Sequence, residues 1–212
     1  MITAYMQLRF NQKLQNHIPF RLDIRTVDIE YFLNLGQNKY IDELFLRKED
    51  EEFYRKRIGA LYDNESITVF NPGSKGPNSY FVDLPLDCKY VHENERVISD
   101  TGQYIKIIAI NRKYYNTHYN NPFAMPYEEL GWRLDAGERM HELILADGIT
   151  PQEYNIDYVR VPNTLVIADT TNESEVSPEF HDEIVDKAVE IALQIYNQTG
   201  VFRAPEQTQS EE

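Results

Sequence analysis

Ser177-Pro-Glu-Phe-His-Asp-Glu-Ile-Val-Asp-Lys-Ala-Val-Glu-Ile-Ala-Leu-Gln-Ile-Tyr196 reads as one long amphipathic helix. Ser177 suits the N-cap and Pro178 the first helical position, while Glu179, Asp182 and Glu183 place negative charge at the positive end of the helix dipole. Phe180, Ile184, Ala188, Ile191 and Ile195 recur at helical spacing, with Val185, Val189, Ala192 and Tyr196 beside them, so one broad face is apolar. Gly200 is a natural stop. Such a helix has to bury that face against its own core or against a neighbouring subunit.

The start of the chain offers partners for it. Residues from about 2 to 15 form a first candidate helix, and Thr26 caps a longer one in which Ile29, Leu33, Gly36, Tyr40 and Leu44 share a face. A third, from Arg47 to Arg57, sets Glu51 before Arg55 and Glu52 before Lys56 at the spacing of exposed ion pairs, with Phe53, Ile58 and Leu61 as packing anchors. After Tyr62 the texture changes to short β-like runs: Ile67–Phe70, Tyr80–Leu84, Val91–Ile98, Tyr104–Ile110, Glu142–Ala146, Ile156–Val161 and Thr164–Ala168. Asp100-Thr-Gly102 is a hairpin signal, Asn71–Asn78 is loop-like, and Pro162-Asn163 is a tight connection.

Helices, then strands, then one helix predict an α+β protein rather than a parallel α/β one. The N-terminal helices and the C-terminal helix are expected to pack together (residues 1–65 and 177–200), with a central antiparallel β-rich insertion (66–176) and a polar tail (201–212). Met1–Tyr5, Asn71–Asn78 and Val201–Glu212 supply too little apolar area to order alone and are expected to be mobile in the isolated chain and at least partly ordered on assembly, with Val201-Phe202-Arg203 as the anchor. Ile184 and Phe180 belong to the buried helical seam. Asn121, Pro122 and Phe123 form a rigid corner that turns Phe123 inward, and Trp132 is a structural residue of the β region.

Composition removes several function classes. The 212-residue chain carries a formal net charge of −14, which disfavours general nucleic-acid binding and docking on anionic membranes. No apolar run is long enough for a transmembrane helix, and the first residues lack the pattern of a signal peptide, so an intracellular protein is expected. Cys88 has no partner for an internal disulfide and follows Asp87, whose charge works against a thiolate. Gly73-Ser-Lys-Gly76 lacks the spacing of a phosphate loop, and the five histidines do not pair at metal spacing. His181-Asp-Glu183 reads as first-turn helix charge. Glu128, Glu129, Asp135 and Glu138 around Trp132 are the remaining imaginable acid/base set. No catalytic, cofactor-binding or metal-binding residue is assigned.

Asn120-Asn-Pro-Phe123, Met125-Pro126 and Gly131-Trp-Arg-Leu134 combine turn, aromatic and strand signals over a short span. With Asp28–Gln37 and Pro178–Val189 they give the chain, from about residue 5 to 196, an order that resembles the ring or head-to-tail connector proteins of crAss-like bacteriophages. The resemblance implies a non-enzymatic virion protein assembled in the host cytoplasm. Its expected form is a homo-oligomeric ring, dodecameric to match the portal, in the neck or tail. It would contact the portal and other ring proteins and let genomic DNA pass through its lumen without specific binding. The alternatives are a hydrolase acting on phosphoesters or glycans and a soluble adaptor that binds through the C-terminal helix.

Overall fold

The computed structural model describes residues 2–18, 23–46, 51–92, 94–121, 123–168 and 174–199. The chain forms two compact units, Met1–Leu61 with Pro162–Glu212, and Tyr62–Val161.

The first unit is helical. α1 (Ile2–His17), α2 (Thr26–Leu46), α3 (Glu51–Ile58) and α5 (His181–Thr199) form it, with short 3-10 turns at Gly59–Leu61 and Pro178–Phe180. The periodicity of α1 places Met6, Phe10 and Leu14 in the core, that of α2 places Ile29, Leu33, Tyr40 and Ile41 there, and that of α5 places Ile184, Val185, Ala188 and Ala192 there. Phe10 stacks on Phe32 with ring centroids 6.0 Å apart, and Tyr196 meets Phe32 edge-on at 5.6 Å. Gly36 sets the closest approach of α2 to α5: a Cβ there would stand 2.7 Å from the carbonyl oxygen of Ile184 and 2.9 Å from the Cβ of Ala188.

The acids of α5, from its first turn to Glu190, form crosslinks to other elements of this unit. Asp182 pairs with Arg9 at 3.3 Å, Asp186 with Lys13 at 2.6 Å, Glu183 with Arg57 at 3.2 Å and Glu190 with Lys39 at 3.0 Å. Three expectations are corrected in this unit. Ser177 makes no side-chain cap, because its hydroxyl donates to the Lys56 carbonyl at 3.2 Å. His181 is buried rather than a surface charge, and its Nε2 lies 2.9 Å from the Val176 carbonyl. Ile2–Tyr5 is the first turn of α1, with Thr3 buried, rather than a loose arm.

Thr164–Ala168 is not a strand. Its backbone is bound by side chains of α2 instead. Asn34 accepts from the Leu165 N–H at 2.8 Å and donates to the Leu165 carbonyl at 2.9 Å, and Glu30 accepts from Ile167 N–H at 2.7 Å. These groups stand where a partner strand would, which satisfies the extended backbone without a sheet.

The second unit holds a mixed sheet. β1 (Tyr62–Ile67), β2 (Asn71–Pro72), β3 (Ser79–Asp83), β4 (Cys88–Val91), β5 (Arg96–Ser99), β6 (Tyr104–Ala109), β7 (Leu130–Gly137), β8 (Met140–Ile144) and β9 (Pro151–Arg160) run in the order β1-β9-β5-β6-β7-β8-β3-β2. β4 joins the edge of β9 beyond β5, so the expected single strand Val91–Ile98 is two strands on one neighbour. The β5–β6 turn is the hairpin expected at Asp100–Gly102, with Gly102 at φ 80° and its N–H bonded to the Ser99 carbonyl at 2.9 Å.

The expectation of an antiparallel insertion is corrected at one place: β6 and β7 pair in parallel, with Ile108 opposite Trp132. Parallel neighbours require a long crossover, and Ile110–Glu129, including α4 (Tyr115–Tyr119), supplies it. The first strand lies earlier than expected, over Tyr62–Ile67 rather than Ile67–Phe70. Its polar residues are tolerated because β1 is an exposed edge held by full pairing with β9. Alternation sorts the core by face. Val97, Ile105, Ile107, Leu143, Tyr154 and Ile156 line one side, while Trp132, Leu134, Ile144 and Tyr115 cluster on the other.

Candidate interaction surface

The crossover Ile110–Glu129 carries several exposed aromatic side chains of the second unit. Asn111 accepts from Lys113 N–H at 2.9 Å and starts the turn that leads into α4. Tyr115 points inward and meets Trp132 edge-on at 6.2 Å, with His118 at 6.0 Å from the same indole. Asn121 then closes a second turn: its side chain accepts from Phe123 N–H at 3.1 Å, and its carbonyl accepts from Ala124 N–H at 2.9 Å.

That turn overturns the inward placement of Phe123. Its ring is 99% exposed, because the space over the sheet face is already filled by Tyr115 and His118 on Trp132. Tyr114, Tyr119, Met125 and Tyr127 are exposed around it. Arg112 and Lys113 stand at the start of the same segment, which contains no carboxylate from Asn111 to Tyr127. An apolar, aromatic and cationic surface of this make-up is suited to macromolecular contact.

The other sequence-derived residues fall elsewhere. Trp132 is buried at 1% exposure and offers no ring face to a ligand. Ile184 is fully buried on α5, and Phe180 is half-buried beneath the Arg57 guanidinium, whose carbon lies 4.3 Å from the ring centre. Asn121 is exposed, whereas Pro122, Phe202 and Arg203 lie outside the described residues, as does the tail from Val201.

The interior of the second unit contains a polar centre with no signature in the sequence. Glu95, Arg133, His141 and Tyr154 come from the β5 approach, β7, β8 and β9. Arg133 Nη1 donates to Glu95 Oε1 at 2.6 Å, the Tyr154 hydroxyl donates to Glu95 Oε2, and His141 Nδ1 lies 2.9 Å from the Tyr154 oxygen. Burial first, and the Arg133 charge second, push His141 down to about 3, so it is neutral at ordinary pH. Its approaches of 4.0 Å to Glu95 and 3.6 Å to Asp135 are therefore not ion pairs. Since the Tyr154 proton goes to Glu95, His141 supplies the Nδ1 proton to Tyr154. Burial and the Glu95 carboxylate hold Tyr154 well above the usual phenol range. His141 stays neutral and Tyr154 stays protonated, which suits a structural clamp rather than acid/base exchange.

The remaining chemical candidates are similarly occupied. Burial, then Asp87, pushes the Cys88 thiol up to about 11, which leaves it protonated. In the Gly73–Gly76 loop the Ser74 N–H and hydroxyl both go to the fully buried Glu142 of β8, so these donors of the loop are already taken. The same bonds fasten Asn71–Asn78, which was expected to be loose. Glu128, Glu129, Asp135 and Glu138 are exposed, while the Trp132 they bracket in sequence is inside. Among the described residues no group of three or more His, Cys, Asp and Glu side chains is placed to hold a metal ion. None of their helices is long and apolar enough to cross a membrane.

Two proteins of Bacteroides phage crAss001 resemble the chain. Ring protein 4/5 is 27% identical over 187 residues, covering 78% of this chain and 75% of that protein. Ring protein 3 is 22% identical over 180 residues, covering 74% and 75% respectively. The family described as phage tail ring protein 3/4 matches residues 27–202, which takes in both units. The chain thus belongs to the phage tail ring protein 3/4 family of crAss-like bacteriophages.

Proposed function

We propose that this protein is a non-enzymatic structural protomer of a closed, dodecameric ring in the portal-proximal neck or tail of the virion, where it joins the capsid portal to the tail. The observation that carries this reading is the family match across residues 27–202. The exposed crossover around Phe123 supports it as a contact surface, and the locked centre at Glu95 and Tyr154 supports a structural role. Portal and neighbouring ring proteins are its partners, and assembly takes place in the host cytoplasm.

The net charge of −14 gives the lumen a role. A negative wall attracts no phosphate backbone and releases no counterions, so DNA passes without sticking. Quantitative mass spectrometry of purified virions tests the placement: the chain is expected in equal copy number with the portal subunit. Absence from virions, or a copy number unrelated to the portal, would contradict it.

A further inference from the structure

A second surface of the β unit complements the aromatic crossover and shares no residue with it. The end of β1 and the β3–β4 connection form a groove lined by Glu65, Val69, Asp83, Leu86, Asp87 and Tyr158, among others, and no Lys, Arg or His lines it. Val69 and Leu86 are 66% and 81% exposed, so apolar groups stand open between carboxylates. Among the described residues neither Glu65 nor Asp83 has an ion pair. Burial first, then the Asp87, Asp63 and Glu65 charges, push the Tyr158 hydroxyl up to about 12. The Asp87 carboxylate accepts from that hydroxyl at 3.3 Å.

The crossover carries the opposite pattern. Arg112 and Lys113 are exposed and, among the described residues, have no carboxylate partner, although Arg9 and Lys13 of α1 are each paired within their own unit. Exposed aromatic rings with a flanking arginine match an open apolar groove rimmed by acids, in both charge and chemistry. Two different complementary patches on one molecule generate a head-to-tail contact, which closes into a ring when the rotation permits.

We propose that the Asn111–Tyr127 crossover of one copy docks into the Val69–Leu86 groove of the next copy of this chain. Phe123 and its neighbouring tyrosines cover Val69 and Leu86, while Arg112 and Lys113 face Glu65 and Asp83. This contact rests on the ring reading and supplies its subunit interface.

Charge reversal tests it in the full-length protein. Arg112→Glu with Lys113→Glu, and separately Glu65→Lys with Asp83→Lys, are each expected to weaken self-association by about tenfold or more, read by sedimentation. All of these are exposed residues, and circular dichroism checks that each variant keeps the fold. Combining the four changes restores the pairing of opposite charges and is expected to recover association to within about threefold of the unaltered chain. No recovery in the combined variant, with fold intact, overturns the proposed pairing.

Carbodiimide crosslinking of virions grown as a mixture of ordinary and 15N-labelled protein separates this contact from the ring reading. Mixed-isotope links between Lys113 and Glu65 or Asp83 are the expected result. Mixed-isotope links through other segments alone would leave the ring and reject this interface, as would links from Lys113 only to a different ring protein. Complete absence of links between copies would count against the ring itself and this contact with it.

Discussion

At the residue scale, Tyr154 is the hinge of the polar centre. Its hydroxyl is the shared partner of Glu95 and His141, and all three side chains are buried. Tyr154→Phe keeps the ring volume and removes that oxygen, which leaves Glu95 Oε2 and His141 Nδ1 short of a partner. The expected loss is about 1–3 kcal/mol in denaturant unfolding. An unchanged unfolding free energy would show that the hydroxyl contributes nothing.

His141 makes a separate prediction about pH. Its imidazole sits at about 3 in the folded protein against the ordinary 6.5. Between these values the unfolded chain binds a proton that the folded chain does not, so stability falls as pH drops below about 6.5, by up to about 1.4 kcal/mol per pH unit. Above that pH the residue carries no such penalty. In His141→Gln the unfolding midpoint is expected to fall less steeply between about pH 7 and pH 5 than in the unaltered chain. Identical slopes would contradict a buried neutral imidazole. None of this was legible in sequence. Glu95, Arg133, His141 and Tyr154 are far apart along the chain, and only strand register brings them together. Phe123 misled for a related reason: Pro and Asn at a corner predict a turn, but which way the ring faces depends on Tyr115 and His118 having taken the inner face.

At the scale of elements, the contact of α2 with α5 is set by Gly36. Alanine there would gain about 1 kcal/mol of helix propensity. Yet its Cβ meets the backbone of Ile184 at 2.7 Å and of Ala188 at 2.8 Å, and backbone does not move aside as a side-chain tip would. Gly36→Val is expected to force the helices apart at a cost of about 1–3 kcal/mol or more, measured as a lower melting temperature and unfolding midpoint. A variant as stable as the parent would mean that the seam is looser than these distances.

The helices themselves were readable because their apolar residues repeat at the helical period and their ends carry Thr26 and Pro178. Strands with apolar alternation, such as Tyr104–Ala109, were readable for the same reason. β1 was missed because Asp63, Asn64, Glu65 and Ser66 carry no alternation, and pairing with β9 is what makes them a strand. Leu165–Ile167 erred in the other direction: an apolar, β-branched run was taken up by Asn34 and Glu30 of a helix. The parallel β6–β7 pair had only an indirect signal, the length of the segment between them.

At the scale of the whole molecule, the two units use their charges differently. The helical unit is fastened internally by ion pairs from α5 to α1, α2 and Arg57, leaving its acids largely engaged. Among the described residues the β unit keeps a cationic, aromatic crossover without a carboxylate partner and an acidic groove, which the proposal makes the two halves of a head-to-tail contact. In that proposal charge closes the fold of one unit and joins copies through the other. The membership of the ring family was legible in short stretches such as Gly131–Leu134 and Pro178–Val189, whereas the surfaces proposed to join copies depend on the loop conformations around Asn121 and Asp87.

Cryo-electron microscopy of the intact virion is the most direct test of the ring itself. The expected result is a closed dodecameric ring of this chain on the tail axis at the portal-proximal neck, with a central opening through which DNA passes. Density for the chain as isolated copies, as an open array, or on the capsid surface away from that axis would contradict it.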